Sequence, residues 1–227
     1  LEPIAEKLID AVVRYGEILN EEKKAANSYD FSDICHFALK LLVSYDKDGK
    51  AHKTPLAKSF AERFEEILVD EYQDVNDLQN TLFWAVSKNE TNMFTVGDVK
   101  QSIYRFRQAM PEIFLQKRKA LENFEGDNYP AKITLDRNFR SRSGVTENVN
   151  FLFSQIMSSY LGSVNYNKNE QLVAAADYEE SNFPEAEMYI LGDMEEKVGR
   201  ESEAQFIADK IHEIISGGMK VKDKNGY

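Results

Sequence analysis

The fold is decided by Ile67-Leu68-Val69-Asp70-Glu71, a short apolar run that ends in two adjacent carboxylates. Met93-Phe94-Thr95-Val96 has the same pattern and ends in Gly97-Asp98, and Ile133-Thr134-Leu135 ends in Asp136-Arg137. Short runs of β-branched and aromatic residues that stop at turn-forming or charged residues are typical of β-strands. The sequence therefore predicts one buried strand in each of the three runs.

Helical segments lie between and after these strands. Apolar residues recur at helical spacing over residues 76–87, 111–121 and 143–158. Strands that alternate with helices, and that are too apolar to have a wet face, predict an α/β fold whose parallel sheet is covered by helices on both sides. Ligands bind such sheets at the carboxyl ends of the strands, so the polar residues that end each run are candidate site residues.

Outside this region the pattern is mainly helical. Residues 2–26 predict an amphipathic helix, and residues 31–43 predict a second helix with Asp30 as its N-cap. Ser59 and Glu62 are spaced as a capping box for a short helix. The polar stretch 122–130 predicts a hinge, followed later by a strand over residues 188–191 and a helix over residues 201–215.

Composition excludes several classes of protein. The 227 residues are 42% hydrophobic and 30% charged, which is typical of a folded globular chain and not of a disordered one. No apolar run approaches the roughly 20 residues that span a bilayer, and the first residues do not form a signal peptide. One cysteine and three scattered histidines give neither a disulfide nor a zinc-site spacing. These features predict a cytoplasmic protein without a membrane partner.

The negative charge is unevenly distributed. The chain carries a net charge of −11, and most of it lies between residues 170 and 203. The remainder is nearly neutral and contains two basic groups, one over residues 100–119 and one over residues 132–142. A surface near those groups can accept an anion, although basic side chains on helices are often no more than a solvated face.

Three ordered motifs carry a resemblance to a known family. They are DEYQD at residues 70–74, VGDVKQSIYRFR at residues 96–107 and LDRNFRS at residues 135–141. These strings resemble motifs II, III and IV of the superfamily 1 DNA helicases of the UvrD/Rep type. The second motif, together with YDFSDI at residues 29–34, is most similar to the AddA-type branch, which belongs to the helicase–nucleases of Gram-positive bacteria.

This resemblance implies an α/β fold built from parts of two RecA-like P-loop NTPase domains, preceded by a helical segment. Residues 1–28 would be the tail of a helical insertion subdomain. Residues 29–125 would form the C-terminal part of the first RecA-like domain, and residues 126–227 would begin the second. The chain would then be an internal segment of a longer protein.

The resemblance also implies a role for each matching residue. Asp70 would bind Mg²⁺, and Glu71 would be the general base for the attacking water. Gln101 would contact the γ-phosphate of ATP, Arg140 would act as an arginine finger, and Phe139 would stack on the adenine. Single-stranded DNA would be bound by a separate set of side chains, namely Tyr104, Phe106 and Arg107, with the two rings stacking on bases.

A protein of this kind would use ATP and Mg²⁺ to unwind DNA during double-strand break repair and recombination. Its partners would be single-stranded and double-stranded DNA and a second, AddB-like helicase–nuclease subunit, and the whole protein would also carry an exonuclease. The phosphate-binding pattern GxxxxGK[ST] does not occur in these 227 residues. The chain by itself is therefore predicted not to hydrolyse ATP.

Several alternatives stay open at this stage. The acidic pair after the first strand could simply stabilise a helix dipole, and Arg140 could form an ion pair with Asp136. The aromatic residues of the second motif could belong to a core. The whole chain could be a non-catalytic module that binds single-stranded DNA or a protein partner. A metal nuclease built on Glu185 and residues 195–197 is a weaker alternative, because that region is acidic throughout.

Overall fold

A computed structural model describes residues 2–180, 183–192 and 196–219 and divides the chain into two compact units, Leu1–Thr134 and Leu135–Tyr227. The predicted mixture of helices and short parallel strands is confirmed. The predicted domain boundaries after residues 28 and 125 stay predictions. Among the described residues, no helix is both long and apolar enough to cross a membrane.

The described residues of the first unit, 2–134, form five helices and six short strands. The helices are α1 (Glu2–Ala26), α2 (Phe31–Leu42), α3 (Pro55–Arg63), α4 (Asp77–Val86) and α5 (Pro111–Ala120). The strands are β1 (Val43–Tyr45), β2 (Ala51–Lys53), β3 (Ile67–Val69), β4 (Met93–Thr95), β5 (Glu122–Asn123) and β6 (Ala131–Lys132). Three one-turn 3₁₀ helices, Tyr72–Asp74, Val99–Gln101 and Arg105–Arg107, follow β3 and β4.

The two N-terminal helices form where the sequence predicts them. The side chain of Asp30 accepts a hydrogen bond from the backbone of Asp33, and the Asp33 side chain accepts one from the backbone of Asp30, so α2 begins with a capping box. The Lys23 ammonium in the last turn of α1 contacts both carboxylates, at 2.9 and 2.7 Å. This pairing fixes the end of α1 against the start of α2.

A small apolar core joins α2, α3 and α4. Val43, Ala57 and Ala85 are buried together, and Trp84 packs against them. The antiparallel strands β1 and β2 connect α2 to α3. The predicted capping box at Ser59 and Glu62 is wrong, since α3 already begins at Pro55. Its N-cap is Thr54, whose hydroxyl accepts a hydrogen bond from the backbone of Ala57.

Strands β3 and β4 confirm two of the three predicted strands and their parallel pairing. Their register places Ile67 opposite Met93 and Val69 opposite Thr95. The prediction that helices cover both faces is wrong for this pair, because Leu68 and Phe94 are 71% and 57% exposed. Only one face of this two-stranded sheet is packed.

The third predicted strand, residues 133–135, is wrong. Ile133 and Leu135 are 65% and 84% exposed and pair with none of the strands that the structure describes. Backbone pairing instead occurs on either side of them: β6 pairs in parallel with β5, and β7 (Arg137–Asn138) belongs to the second unit. An apolar run forms a strand only where a neighbouring strand accepts its backbone hydrogen bonds, and no strand in the described part of the chain does so here.

The second unit contains β7, β8 (Val173–Ala174), α6 (Ser143–Ile156) and α7 (Glu196–Ser216). Strands β7 and β8 pair in parallel, and the Asn150 side chain of α6 accepts hydrogen bonds from the Tyr166 hydroxyl and the Leu172 backbone. The predicted strand over residues 188–191 is wrong, since this segment has no regular structure. Its Tyr189 ring packs instead on Phe206 of α7, with 4.9 Å between ring centres.

Candidate functional site

The candidate site lies at the carboxyl ends of β3 and β4. The Val96 amide donates to the Val69 carbonyl at 2.9 Å, and the Tyr72 amide donates to the Val96 carbonyl at 2.8 Å. These two bonds extend the parallel pairing past the strand ends. The segments that carry Asp70 and Glu71 on one side and Gly97 and Asp98 on the other are therefore neighbours, as expected for parallel strands.

The backbone of Glu71 has an unusual conformation. Its φ of 49° lies in the left-handed region, which non-glycine residues rarely adopt and which costs on the order of 1–3 kcal/mol. The Asp70 carboxylate accepts the Glu71 amide at 2.9 Å and supports this turn. Both carboxylates are exposed beside the strand end. The turn thus presents two acidic side chains to solvent at the point where a ligand would bind.

A buried glutamine holds Glu71 in place. Gln73 is 1% exposed, and its Nε2 donates to Oε2 of Glu71 at 2.6 Å. Its Oε1 accepts the Asp98 amide at 2.9 Å. A single side-chain amide therefore joins the segment after β3 to the segment after β4.

Asp98 organises the segment that carries Gln101. Its Oδ1 accepts the Lys100 amide at 3.0 Å and lies 2.8 Å from the Lys100 ammonium, while its Oδ2 accepts a hydrogen bond from Nε2 of Gln101 at 3.1 Å. Burial raises the pKa of Asp98, but these bonds from Lys100 and Gln101 outweigh it and leave the pKa below its ordinary value of 3.8. The predicted γ-phosphate contact, Gln101, is exposed and held by Asp98.

Replacing Asp98 with Asn is expected to lower the free energy of unfolding by about 1.5–3 kcal/mol at neutral pH, the range for hydrogen bonds to a charged group. Because the folded-state pKa lies below 3.8, the contribution is present above pH 3.8 and is lost as the pH falls through the folded value. Urea unfolding at pH 7 and pH 3 measures both effects. The exposed loop variant Asp127→Asn is the control, and equal losses from the two variants would contradict the assignment.

Two buried oxygens adjoin this network without a partner among the described residues, Oδ1 of Asp74 and Oγ of Ser102. Burial and the negative charge of Glu71 raise the pKa of Asp74. Within the described part of the chain, no group of three or more His, Cys, Asp or Glu side chains could hold a metal ion. Mg²⁺ commonly uses only one or two carboxylates together with substrate phosphates, and the exposed Asp70 fits that kind of site.

The three residues predicted to bind DNA do lie together. The ring centres of Tyr104 and Phe106 are 6.0 Å apart, and the Arg107 guanidinium lies 5.3 and 5.4 Å from them. Phe106 is 76% exposed and Tyr104 is 38% exposed. The alternative that these rings belong to a core is therefore wrong. The Met110 amide donates to the Val75 carbonyl at 3.0 Å and ties this segment to the turn after β3.

In the second unit, the turn after β7 sets the position of Arg140. Oδ1 of Asn138 accepts the Arg140 amide at 3.0 Å and the Ser141 amide at 2.8 Å. This is the local bonding by which Asn stabilises a turn. Phe139 is 67% exposed. The alternative ion pair between Arg140 and Asp136 does not form, although both side chains are described.

The nuclease alternative gains no support from Glu185. Its carboxylate accepts the Gly144 amide at 2.6 Å near the start of α6 and lies 3.8 Å from the Arg142 guanidinium. These are contacts of a helix-capping residue. Glu195 and the side chains of Glu196 and Lys197 lie outside the described residues.

Gln73 and Asn138 lie inside the sequence motifs, but the sequence predicted a role for neither of them. For Asn138 a local signal existed, since an Asn just before a change of direction is a common turn residue. For Gln73 no local signal existed. Its two partners, Glu71 and the Asp98 amide, meet only after β3 and β4 have paired.

Comparison with known proteins identifies the family of this chain. The pattern of the UvrD/REP helicase N-terminal domain matches residues 3–122, more than half of the chain. The chain belongs to the UvrD/REP helicase family.

Curated relatives match the AddA-type branch. They are the A subunits of the ATP-dependent helicase/nucleases from Bacillus pumilus and Clostridium beijerinckii, which are 40% and 41% identical over 98% and 80% of this chain. The protein of the same name from Thermoanaerobacter sp. is 44% identical over 79% of it. These matches confirm the resemblance to AddA-type proteins. The chain spans between 14% and 19% of the length of these three relatives.

Proposed function

We propose that this chain supplies part of the motor of an ATP-dependent DNA helicase. The observation that carries the proposal is the hydrogen-bonded series from Glu71 through Gln73 and Asp98 to Gln101 at the ends of two parallel strands. It joins a carboxylate suited to activating water to an amide suited to contacting a phosphate. In this proposal residues 29–125 and 126–227 are parts of two RecA-like domains.

The acidic pair has divided roles in this proposal. Asp70, exposed at the end of β3, would hold the Mg²⁺ that accompanies ATP. When bound, that ion neutralises charge developing on the phosphate oxygens. Glu71 would accept the proton of the attacking water, and its hydrogen bond from Gln73 fixes the direction of its carboxylate.

Three further side chains would act on the same reaction. Gln101, held by Asp98, would contact the γ-phosphate, and its position would then depend on whether that phosphate is present. Phe139 would stack on the adenine, and Arg140 would neutralise charge in the transition state. Because GxxxxGK[ST] is not within this chain, we expect no ATP hydrolysis by the chain alone.

The exposed rings would bind single-stranded DNA. Arg107 lies against both rings and can contact a phosphate of a strand whose bases stack on Phe106 and Tyr104. The 3₁₀ turn at Val99–Gln101 lies only a few residues before this cluster, so movement of the phosphate contact would reach the rings directly. Release and regripping of bases would then follow ATP turnover.

The broader role of the whole protein is part of this proposal. The names of the relatives describe one component of an ATP-dependent helicase/nuclease. They support a protein that also has nuclease activity and works with another subunit. Its role in break repair and recombination is part of the proposal and rests on the resemblance of the motifs alone.

Replacing Phe106 with Ala tests the DNA contact. Loss of one base stack is expected to weaken binding by about 1–3 kcal/mol, roughly 5–150-fold in Kd. Fluorescence anisotropy with a labelled single-stranded oligonucleotide and the full-length protein gives this value.

Phe31→Ala is the matched control for this measurement, because Phe31 is a similarly exposed phenylalanine, 88% exposed, on another element, α2. Equal affinities of wild type and Phe106→Ala would contradict the assignment. Binding that depends on Phe106, in a full-length protein that does not hydrolyse ATP, would favour the non-catalytic binding module instead.

A further inference from the structure

We propose that Gln73 is a positioning residue that couples Glu71 to the segment carrying the phosphate contact and the DNA-binding rings. The inference deepens the proposed function and rests on it. Its basis is that both polar atoms of the buried Gln73 side-chain amide form hydrogen bonds. Nε2 donates to Glu71 at 2.6 Å, and Oε1 accepts the Asp98 backbone amide at 2.9 Å.

The Gln73 side chain is tightly packed between the two segments that it joins. Gln73 is 1% exposed. A Cβ placed on Gly97 would fall 2.5 Å from Oε1 of Gln73 and 3.2 Å from the amide nitrogens of Tyr72 and Gln73. Only glycine therefore lets the segment after β4 approach the amide this closely. A buried side chain packed this tightly transmits a shift instead of absorbing it.

The same turn is connected to the DNA-binding rings. Gln73 is the middle residue of the 3₁₀ turn Tyr72–Asp74. Val75, which follows this turn, accepts a hydrogen bond from the Met110 amide through its backbone carbonyl at 3.0 Å. On the other side, Asp98 accepts a hydrogen bond from the side chain of Gln101. Gln73 thus connects Glu71, the predicted general base, to the segment that contains Tyr104 and Phe106. The connection reaches the start of that segment through Asp98 and its end through Met110. A displacement of that segment by DNA or phosphate would change the direction of the Glu71 carboxylate.

The decisive variant is Gln73→Met in the full-length protein, which keeps the length of the side chain and removes both hydrogen bonds. Misplacing a catalytic group by about 1 Å can cost on the order of 10²-fold in rate, so we expect a fall of that size in DNA-stimulated kcat. The Kd for ATP should be unchanged, because Gln73 contacts no predicted nucleotide-binding group. Gln79→Met is the matched control, since Gln79 is exposed and, among the described residues, bonds only within the capping box of α4.

A second variant covers the case in which Gln73→Met does not fold. Gln73→Glu keeps an acceptor oxygen for the Asp98 amide and places an oxygen where Glu71 now receives a donor. We expect the same loss of kcat. A wild-type kcat in the variant that folds would overturn the inference.

The double variant with Glu71→Gln separates positioning from a general structural role. If Gln73 acts through Glu71, adding Gln73→Met to Glu71→Gln should cause no further fall in kcat. Losses that multiply would overturn the inference. If Glu71→Gln itself hydrolyses ATP at the wild-type rate, the proposed function fails. If Glu71→Gln is impaired and Gln73→Met is not, only the present inference fails.

Discussion

Replacing Glu71 with Gln is expected to lower the DNA-stimulated kcat for ATP hydrolysis by about 10²–10⁴-fold, the contribution of a well-placed general base. The amide has almost the same shape as the carboxylate and can still accept the hydrogen bond from Gln73. It cannot take a proton from water. Steady-state hydrolysis by the full-length protein at saturating DNA and ATP measures the loss.

ATP binding should survive this change, because Glu71 acts on water and not on the nucleotide. A fluorescent ATP analogue is therefore expected to bind with unchanged Kd. Glu66→Gln is the matched control, an exposed glutamate just before β3. A rate loss in Glu66→Gln equal to that in Glu71→Gln would contradict the role, as would full activity of Glu71→Gln.

Strands β3 and β4 were predictable because both have a strand-like sequence and each has the other as a pairing partner. Each of β3 and β4 is a short apolar run that ends at residues suited to a loop, and each finds the other as a parallel neighbour. Of the capping box formed by Asp30 and Asp33, the sequence predicted the N-cap residue, Asp30, because Asp is preferred at that position. It did not predict the return hydrogen bond to Asp33. The residue types in each segment were sufficient to predict β3, β4 and the start of α2.

Two other strand predictions failed because strand formation depends on a partner. Residues 133–135 and 188–191 have the composition of strands, but no described strand pairs with them. Tyr189 instead packs on a helix, which uses the same apolar surface without backbone pairing. Composition alone does not distinguish these outcomes.

The candidate site was predictable in its residues but not in its connections. Asp70, Glu71 and Gln101 follow strands that the sequence identifies. The three residues to which the resemblance gives a DNA-binding role, Tyr104, Phe106 and Arg107, lie in one cluster. The amide of Gln73 joins parts of the chain that are 25 residues apart. Only the register of β3 against β4 brings them together, and no property of the single sequence fixes that register.

Replacing Arg140 with Ala is expected to lower kcat by about 10³–10⁵-fold, the range for an arginine finger. This loss is larger than the one expected for Glu71→Gln. The structure holds the backbone of Arg140 through Asn138 and through the Tyr178 hydroxyl, which donates to the Arg140 carbonyl. The guanidinium itself forms no ion pair with any described residue. A fixed backbone, with a guanidinium that pairs with none of the described side chains, suits a residue that meets its partner only when ATP is bound.

Arg140→Lys distinguishes this role from a general need for positive charge. Lysine keeps the charge but is a point donor, whereas the planar guanidinium can bond two phosphate oxygens at once, so Lys should restore only a small part of the lost rate. Arg137→Ala is the control, because Arg137 is exposed on β7 three residues earlier. Since the guanidinium stabilises the transition state more than bound ATP, kcat should fall far more than ATP affinity. Full activity of Arg140→Lys, or an equal loss in Arg137→Ala, would exclude an arginine finger at this position.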